Sequence, residues 1–105
     1  MPAVIVVATV SPKPGAEETV KAALLAAVDK VHAEPGCERY ALHQATDSAD
    51  LVFVEKWESA EALAVHSTAP ALAELGAALG GLLSGPLDVR TFTALPGGDP
   101  AKGAL

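Results

Sequence analysis

The feature that most constrains the fold is an uncharged, β-branched segment near the start of the chain that stops abruptly before a helical pattern. Ala3 to Val10 carries no charged side chain and is rich in valine, which predicts a strand buried on both faces. The turn-forming segment 11–15 ends this strand. Beyond it, apolar side chains recur at helical spacing, namely Val20, Ala23, Leu24, Ala27, Val28 and Val31. A long amphipathic helix from Ala16 onward therefore follows, and Glu34-Pro35-Gly36 ends it.

The middle of the chain predicts a hairpin. Cys37 to Thr46 and Leu51 to Glu58 have the composition of strands, and the polar segment 46–50 has that of a turn. Because a short polar turn joins the two strands, they are expected to pair antiparallel.

The last third of the chain predicts a second helical region and a final strand. Ser59 is placed to cap a helix from Ala60 to about His66, and segment 67–70 interrupts it. A helical stripe then resumes at Leu72, Leu75, Leu79, Leu82 and Leu83, and Gly85-Pro86 is expected to end it. Leu87 to Leu95 supplies the fourth strand. The order β-α-β-β-α-β predicts an α+β, ferredoxin-like split βαβ fold, with helices on one face of an antiparallel four-stranded sheet.

The opposite face of this sheet has no predicted helix to cover it. Val4, Val6, Ala8, Val52 and Val54 are expected on that face, where they would be costly to leave in water. Packing two sheets face to face would bury them, so we expect a homodimer. Residues 1–95 are expected to form a single domain, and the Pro- and Gly-rich segment 96–105 a flexible C-terminal tail.

Charge and composition narrow the classes of partner. A formal net charge of -6, with only 7 Lys and Arg, argues against nucleic acid as a partner. The single cysteine, Cys37, excludes an intrachain disulfide and a thiol-based zinc site. The first residues lack the basic region and cleavage motif of a signal peptide, and no apolar run approaches about 18 residues. We therefore expect a soluble, cytoplasmic protein that does not bind membranes.

Several short motifs resemble those of the antibiotic biosynthesis monooxygenase domains. They are Pro14-Gly15, Glu34-Pro35-Gly36-Cys37 followed by Tyr40 and Leu42, and Glu55-Lys56-Trp57-Glu58-Ser59 with His66 and Ser67-Thr68-Ala69-Pro70. The resemblance covers nearly the whole chain. It implies a dimeric α+β barrel and an activity like that of the cofactor-free quinol and anthrone oxygenases.

The chain departs from the family pattern in two ways. Many members carry a His or an aromatic residue just after the proline, whereas Ala71 and Leu72 follow Pro70, so a second pocket imidazole is absent. Haem-degrading relatives rely on an Asn in the first strand, and this chain contains no Asn. The resemblance therefore argues against haem degradation.

His66 is the strongest candidate for a catalytic base. An imidazole that titrates near neutrality suits removal of a proton from a phenol or enol, whose anion can pass an electron to dioxygen. The alternative is a structural histidine, either at the solvent edge or hydrogen-bonded within the protein. Trp57, on the preceding strand, is a second catalytic candidate, because it could stack on a planar substrate and exclude water. Its alternative is a residue that fills the core.

Three further residues are candidates for substrate binding. Strand alternation places Phe53 and Glu55 on the same face as Trp57. A buried carboxylate is costly unless it is paired or protonated, so Glu55 could bind a substrate hydroxyl or orient a base. An ion pair with Arg39, with Arg90 or with a residue of a partner chain is the preferred alternative.

Tyr40, on the neighbouring predicted strand, is the third of these candidates. Its phenol could hydrogen-bond a quinol oxygen from the pocket wall, or the ring could pack with its hydroxyl at the rim.

The leading hypothesis is a cofactor-independent monooxygenase that oxidises a small aromatic compound with dioxygen. The compound would be a quinol, an anthrone or a polyketide-like phenol. Neither a cofactor nor a metal is expected, since His32 and His43 are expected at the surface and the single cysteine excludes a thiol-based zinc site. Two alternatives stay open: a non-catalytic small-molecule-binding or stress-response dimer, and a base-catalysed isomerase or decarboxylase that uses the same pocket.

Overall fold

Four strands and three helices make up the fold in the computed structural model, which describes residues 2–105. The elements are β1 (Val4–Val10), α1 (Glu17–His32), β2 (Cys37–Gln44), β3 (Leu51–Trp57), α2 (Ala60–Ser67), α3 (Pro70–Leu79) and β4 (Asp88–Thr93). Met1, which belongs to the predicted domain 1–95, lies outside the described residues. The predicted order is confirmed, with the second helical region divided into α2 and α3.

The sheet has the strand order β2-β3-β1-β4, and every neighbouring pair is antiparallel. This is the ferredoxin-like arrangement that the sequence predicts. β1 lies between β3 and β4, so both of its edges are hydrogen-bonded. Its lack of charge fits that interior position.

The sequence supplies an apolar stripe in α1 and a capping residue at the start of α2. The buried side chains of α1 are Val20, Leu24, Ala27 and Val31, which belong to the predicted series. The hydroxyl oxygen of Ser59 accepts a hydrogen bond from the backbone N–H of Ala62 at 3.1 Å, so the predicted cap of α2 is confirmed. This cap fixes where α2 begins and hence which of its side chains face the sheet.

The predicted end of the last helix is wrong. α3 stops at Leu79, because two consecutive glycines, Gly80 and Gly81, follow and disfavour further helix. Leu82 and Leu83 instead run beside the loop after β1, where the backbone N–H of Lys13 donates to the carbonyl of Leu82 at 2.8 Å. A leucine stripe at helical spacing can therefore continue past the helix that it helps to form.

The expected assignment of β1 side chains to the two sheet faces is also wrong. Val6 pairs with Glu55 and Ala8 pairs with Phe53, and all four side chains are buried on the helix side. Val4, which pairs with Trp57, points the same way. When both faces of a strand are apolar, the sequence does not show which set of alternating side chains faces the helices. The pairing with neighbouring strands decides this.

The face away from the helices, called the open face, carries the other set of strand residues. Its central pairs are Ile5 with Lys56, Val7 with Val54, and Thr9 with Val52, all partly exposed. β2 contributes Arg39, Ala41 and His43 to this face, and β4 contributes Asp88, Arg90 and Phe92. The open face thus has an aliphatic centre with charged and polar side chains around it.

The C-terminal segment returns to the sheet. Lys56 donates from Nζ to the backbone carbonyl of Leu105 at 2.7 Å, and the N–H of Gly103 closes a turn on the carbonyl of Asp99. The flexibility of segment 96–105 stays a prediction.

Within residues 2–105, no single helix has the length and apolar character to cross a membrane, although α2 and α3 taken together as a bent pair pass that test.

Candidate functional site

A cavity of about 140 Å³ lies between the helix side of the sheet and helices α1 to α3. Most of its wall is aliphatic, with leucine and valine side chains from β1, α1, α3 and β4. The polar side chains in the lining are Tyr40, Glu55, His66 and Ser67. An apolar pocket with a few polar groups gathered together is the usual form of a small-molecule site.

Glu55 is a buried carboxyl group on β3, with only 4% of the residue exposed. Trp57, two residues further along the same strand face, donates from its indole N–H to Oε1 of Glu55 at 2.9 Å. Burial raises the pKa of Glu55 most, the hydrogen bond from Trp57 and the nearby His66 lower it, and the charge of Glu34 raises it. The net shift of the pKa is upward, which favours the protonated form of this carboxyl group.

His66 reaches the cavity from the face of α2 that packs on the sheet. Ala62 and Leu63 lie one turn earlier on that face and are partly buried against the core. Nδ1 of His66 lies 2.7 Å from Oε1 of Glu34, whereas Nε2 lies 4.0 Å from Oε1 of Glu55. The first distance is a hydrogen bond and the second is too long for one.

This geometry selects one tautomer of the neutral imidazole. A carboxylate only accepts hydrogen bonds, so Nδ1 of His66 is assigned the proton and its N–H donates a hydrogen bond to Glu34. Nε2 then keeps a free lone pair. Glu34 is not among the cavity-lining residues, whereas His66 and Glu55 are. The arrangement thus has a carboxylate behind the imidazole that orients it, as in many enzymes with a histidine base.

Glu34 is the site residue that the sequence analysis missed, since its segment was used to end the first helix and as part of a family motif, with no role given to its carboxylate. Its side chain is 12% exposed, and its second oxygen, Oε2, is buried with no hydrogen-bond partner within residues 2–105. A carboxylate is not needed to stop a helix before Pro35 and Gly36. An acid at this point of the motif was therefore the signal that could have revealed it.

The loop after α1 holds Glu34 against α2 through a close backbone approach at Gly36. Gly36 has φ +80°, and a Cβ added there would lie 2.5 Å from Cβ of Ala62. Its carbonyl accepts a hydrogen bond from the backbone N–H of Glu58 at 2.9 Å. The loop is therefore fixed at the junction of β3 and α2, close to the imidazole.

Trp57 is fully buried and stacks on His66, with ring centroids 4.3 Å apart and an interplanar angle of 28°. It is not among the residues that line the cavity. Its ring supports the imidazole, and its N–H is taken up by Glu55. The structure therefore brings Trp57 and His66 together, with the indole against the imidazole and away from the cavity wall.

Tyr40 and Phe53 form another part of the wall. Their rings stack at 4.3 Å with an angle of 23°, and Tyr40 also meets His66 edge-on at 5.6 Å. Burial, followed by the charges of Glu55 and Glu34, raises the pKa of Tyr40 above its ordinary range. Its phenol therefore stays protonated at neutral pH and is available as a hydrogen-bond donor.

The expected ion pair of Glu55 with an arginine is wrong. Arg39 is opposite Lys56, and Arg90 is opposite Val7, so both arginines lie on the open face of the sheet. Glu55 points to the helix side and contacts Trp57 and His66 instead.

Among residues 2–105, no group of three or more His, Cys, Asp or Glu side chains is arranged to hold a metal ion.

Comparisons with known proteins give a consistent result. The family model described as Antibiotic biosynthesis monooxygenase matches residues 3–77. The sequence is 34% identical over 92 residues to a Mycobacterium tuberculosis protein named "Putative monooxygenase Rv0793", covering 88% of this chain and 91% of that protein. The solved structure of Rv0793 superposes with a TM-score of 0.85 at 32% identity and covers 92% of this chain and 99% of its own.

A second solved structure extends the likeness to another organism. It is a Caulobacter crescentus protein named as a putative antibiotic biosynthesis monooxygenase. It superposes with a TM-score of 0.82 at 27% identity and covers 90% of this chain and 91% of its own.

Proposed function

The chain belongs to the antibiotic biosynthesis monooxygenase family, and on this premise we propose that its cavity is the active site of a cofactor-independent monooxygenase. Its substrate is a small aromatic compound such as a quinol, an anthrone or a polyketide-like phenol, and its oxidant is dioxygen. The observation that carries the proposal is the position of the His66 imidazole. His66 lines the cavity, and its Nδ1 lies 2.7 Å from the carboxylate of Glu34, which fixes its orientation.

The reaction begins with proton removal. Nε2 of His66 takes the proton of a substrate hydroxyl, and Glu34 stabilises the imidazolium that forms. The electron-rich anion passes one electron to dioxygen, and recombination of the two radicals forms a carbon–oxygen bond. The O–O bond then breaks with loss of the ring proton, which releases water and leaves a quinone carbonyl. All four electrons that reduce dioxygen come from the substrate, so atoms and electrons balance without another reductant.

The other polar residues bind and position. Tyr40 donates a hydrogen bond to a substrate oxygen as charge develops on it, and the neutral form of Glu55 can do the same. Phe53 and the aliphatic wall exclude water from the anion. Trp57 acts on the substrate only through its two partners, since it stacks on His66 and donates to Glu55. It is therefore a positioning residue.

The same proposal includes a homodimer formed through the open face. Ile5, Val7, Val52 and Val54 form an aliphatic centre that no helix of residues 2–105 covers. Packing two such faces would bury this surface and complete an α+β barrel. The paired face lies on the opposite side of the sheet from the cavity, so each subunit keeps its own site.

Oxygen uptake by purified protein tests the proposal. We expect enzyme-dependent uptake with hydroquinones or anthrones, and a fall of about 100-fold or more in kcat for His66→Ala, because a general base contributes about 100-fold to 10,000-fold. The control is Glu61→Gln, which is exposed on α2 and lies outside both the cavity lining and the open face. Binding of these compounds without uptake would contradict the proposal in favour of a binding protein. Isomerisation or decarboxylation of an enol without uptake would favour the base-catalysed alternative.

A further inference from the structure

The cavity also carries information about the substrate itself. We propose that the preferred substrate is an uncharged hydroquinone with a single ring, whose apolar substituent leaves the cavity beside β4. This inference rests on the proposed monooxygenase function and narrows it. Three independent properties of the cavity support it: the charges around it, its volume, and the character of its mouth.

The charges around the cavity exclude an anionic substrate. The lining contains no Lys or Arg side chain, and its ionisable members are Tyr40, Glu55 and His66. The only group there that can become positive is His66, and Glu34 already neutralises it from behind. A carboxylate or phosphate on the substrate would therefore be buried without a cation of its own, which is strongly unfavourable.

The volume of the cavity suits one ring. An apolar cavity of about 150 Å³ in an unrelated protein binds benzene, and the present cavity measures about 140 Å³. A ring with its hydroxyl groups fills such a space, whereas a fused three-ring compound exceeds it. The stacked rings of Tyr40 and Phe53, with centroids 4.3 Å apart, form one part of its wall, and close packing of this kind resists displacement.

The polar and apolar ends of the cavity set the orientation of the ring. Tyr40, His66 and Glu55 lie close together, with Nε2 of His66 at 4.0 Å from Glu55 and the Tyr40 ring at 5.6 Å from the imidazole. The exposed apolar members of the lining are Leu87 and Val89, with 48% and 55% of the residue exposed. A hydroxyl of the ring therefore meets the polar cluster, and the opposite side of the ring points towards an apolar mouth.

This mouth is suited to an alkyl chain. Leu87 precedes β4, and Val89 lies on the helix side of β4, an edge strand whose residues are all exposed. Two half-exposed aliphatic side chains at an opening lose contact with water when an alkyl chain lies across them. The reaction on such a substrate balances as hydroquinone plus dioxygen giving hydroxybenzoquinone plus water.

A panel of matched compounds tests the inference by oxygen uptake, with enzyme-free and His66→Ala rates subtracted. Methylhydroquinone is the neutral single-ring probe, 2,5-dihydroxybenzoate carries an added charge, and 1,8-dihydroxyanthrone has three rings. We expect kcat/KM to be highest for methylhydroquinone and at least about 100-fold lower for the dihydroxybenzoate. Faster turnover of the benzoate or the anthrone overturns the inference but leaves the monooxygenase proposal standing. Absence of uptake with every compound overturns both.

The mouth is tested separately with heptylhydroquinone. Its KM is expected to be about tenfold lower than that of methylhydroquinone, because additional methylene groups leave water. Val89→Asp should remove most of this difference, whereas Val65→Asp, at an exposed position of α2 outside the lining, should preserve it. Equal KM values for the two compounds, or an equal effect of both variants, would place the alkyl chain elsewhere and overturn this part of the inference.

Discussion

At the scale of single residues, His66 is held by two contacts that have different consequences. The hydrogen bond to Glu34 fixes the tautomer, and the stacked Trp57 ring fixes the plane of the imidazole. Glu55 completes the cluster from β3 as a carboxyl group whose pKa is raised by burial. The cluster thus combines a free lone pair at Nε2 with hydrogen-bond donors beside it.

Replacing Glu34 tests whether orientation of the imidazole matters for turnover. Glu34→Gln keeps the shape of the side chain but loses the charge that stabilises the imidazolium. We expect kcat to fall about 10-fold to 100-fold with little change in KM, as for other groups that orient a functional histidine. Glu34→Asp should recover part of the loss, and Glu61→Gln, exposed on α2, is the control. A change in KM alone would contradict the assigned role.

Replacing Glu55 tests its raised pKa through stability. An unfolded chain releases this proton near pH 4.5, whereas the raised pKa of the folded chain makes it retain the proton to higher pH. The free energy of unfolding therefore falls as pH rises from about 4.5 through the pKa of the folded state. Glu55→Gln removes this loss but can still accept the hydrogen bond from Trp57.

We expect the stability of Glu55→Gln relative to the natural protein to increase between pH 4.5 and 8. The increase amounts to about 1.4 kcal/mol for each unit by which folding raises the pKa. Urea unfolding across this pH range measures it, and Glu61→Gln should show no comparable trend. A difference that is constant with pH would mean that burial does not raise the pKa of Glu55.

At the scale of elements, the site depends on the joint between the loop after α1 and the start of α2. Ser59 begins α2 and so determines that His66, two turns later, faces the sheet. Gly36 brings the loop within contact of Ala62, one turn into the same helix. His66 and Glu34 therefore come from segments far apart in the chain, and this joint holds them together.

Gly36→Ala should disrupt that joint. Its backbone has positive φ, and the added methyl group would meet Ala62 at 2.5 Å and Cγ of Glu58 at 2.9 Å. We expect a loss of about 2–4 kcal/mol in the free energy of unfolding, measured in urea, together with reduced kcat. Gly15→Ala is a matched control, because φ is +89° there but nothing lies within 4 Å. It should cost only about 1 kcal/mol. Equal losses in the two variants would show that crowding at Gly36 has no effect.

At the scale of the whole molecule, the sheet serves two purposes on its two faces. The helix side carries the cavity and the polar cluster, while the open face carries an aliphatic centre. A single domain of this size buries a limited share of its surface, so pairing of open faces would add to its stability. Substrate entry beside β4 and dimer formation would then use different parts of the sheet.

Val54→Asp tests the proposed dimer. Val54 pairs with Val7 in the middle of the open face, and a carboxylate there would be buried in the aliphatic centre of the interface. We expect light scattering to report a dimer for the natural protein and a shift towards monomer for the variant. The dissociation constant of the dimer should rise about 100-fold or more. Val65→Asp, on the helix side, should remain dimeric. A monomeric natural protein would refute this assembly.

The sequence by itself determined the order of the elements, the stripe of α1 and the cap at Ser59. These depend on interactions between residues a few positions apart, which the local pattern contains. Motif resemblance also directed attention to His66 and Glu55, which the structure places beside one cavity.

Only the tertiary structure decided which face of β1 meets the helices, that α3 ends before Leu82, and that Glu34 contacts His66 across 32 positions of the chain. It also decided that Trp57 lies against the imidazole instead of lining the cavity. Strand register and loop packing depend on residues far apart in the chain. The residues around β1 therefore do not show which of its faces meets the helices, and those around Glu34 do not show that it contacts His66.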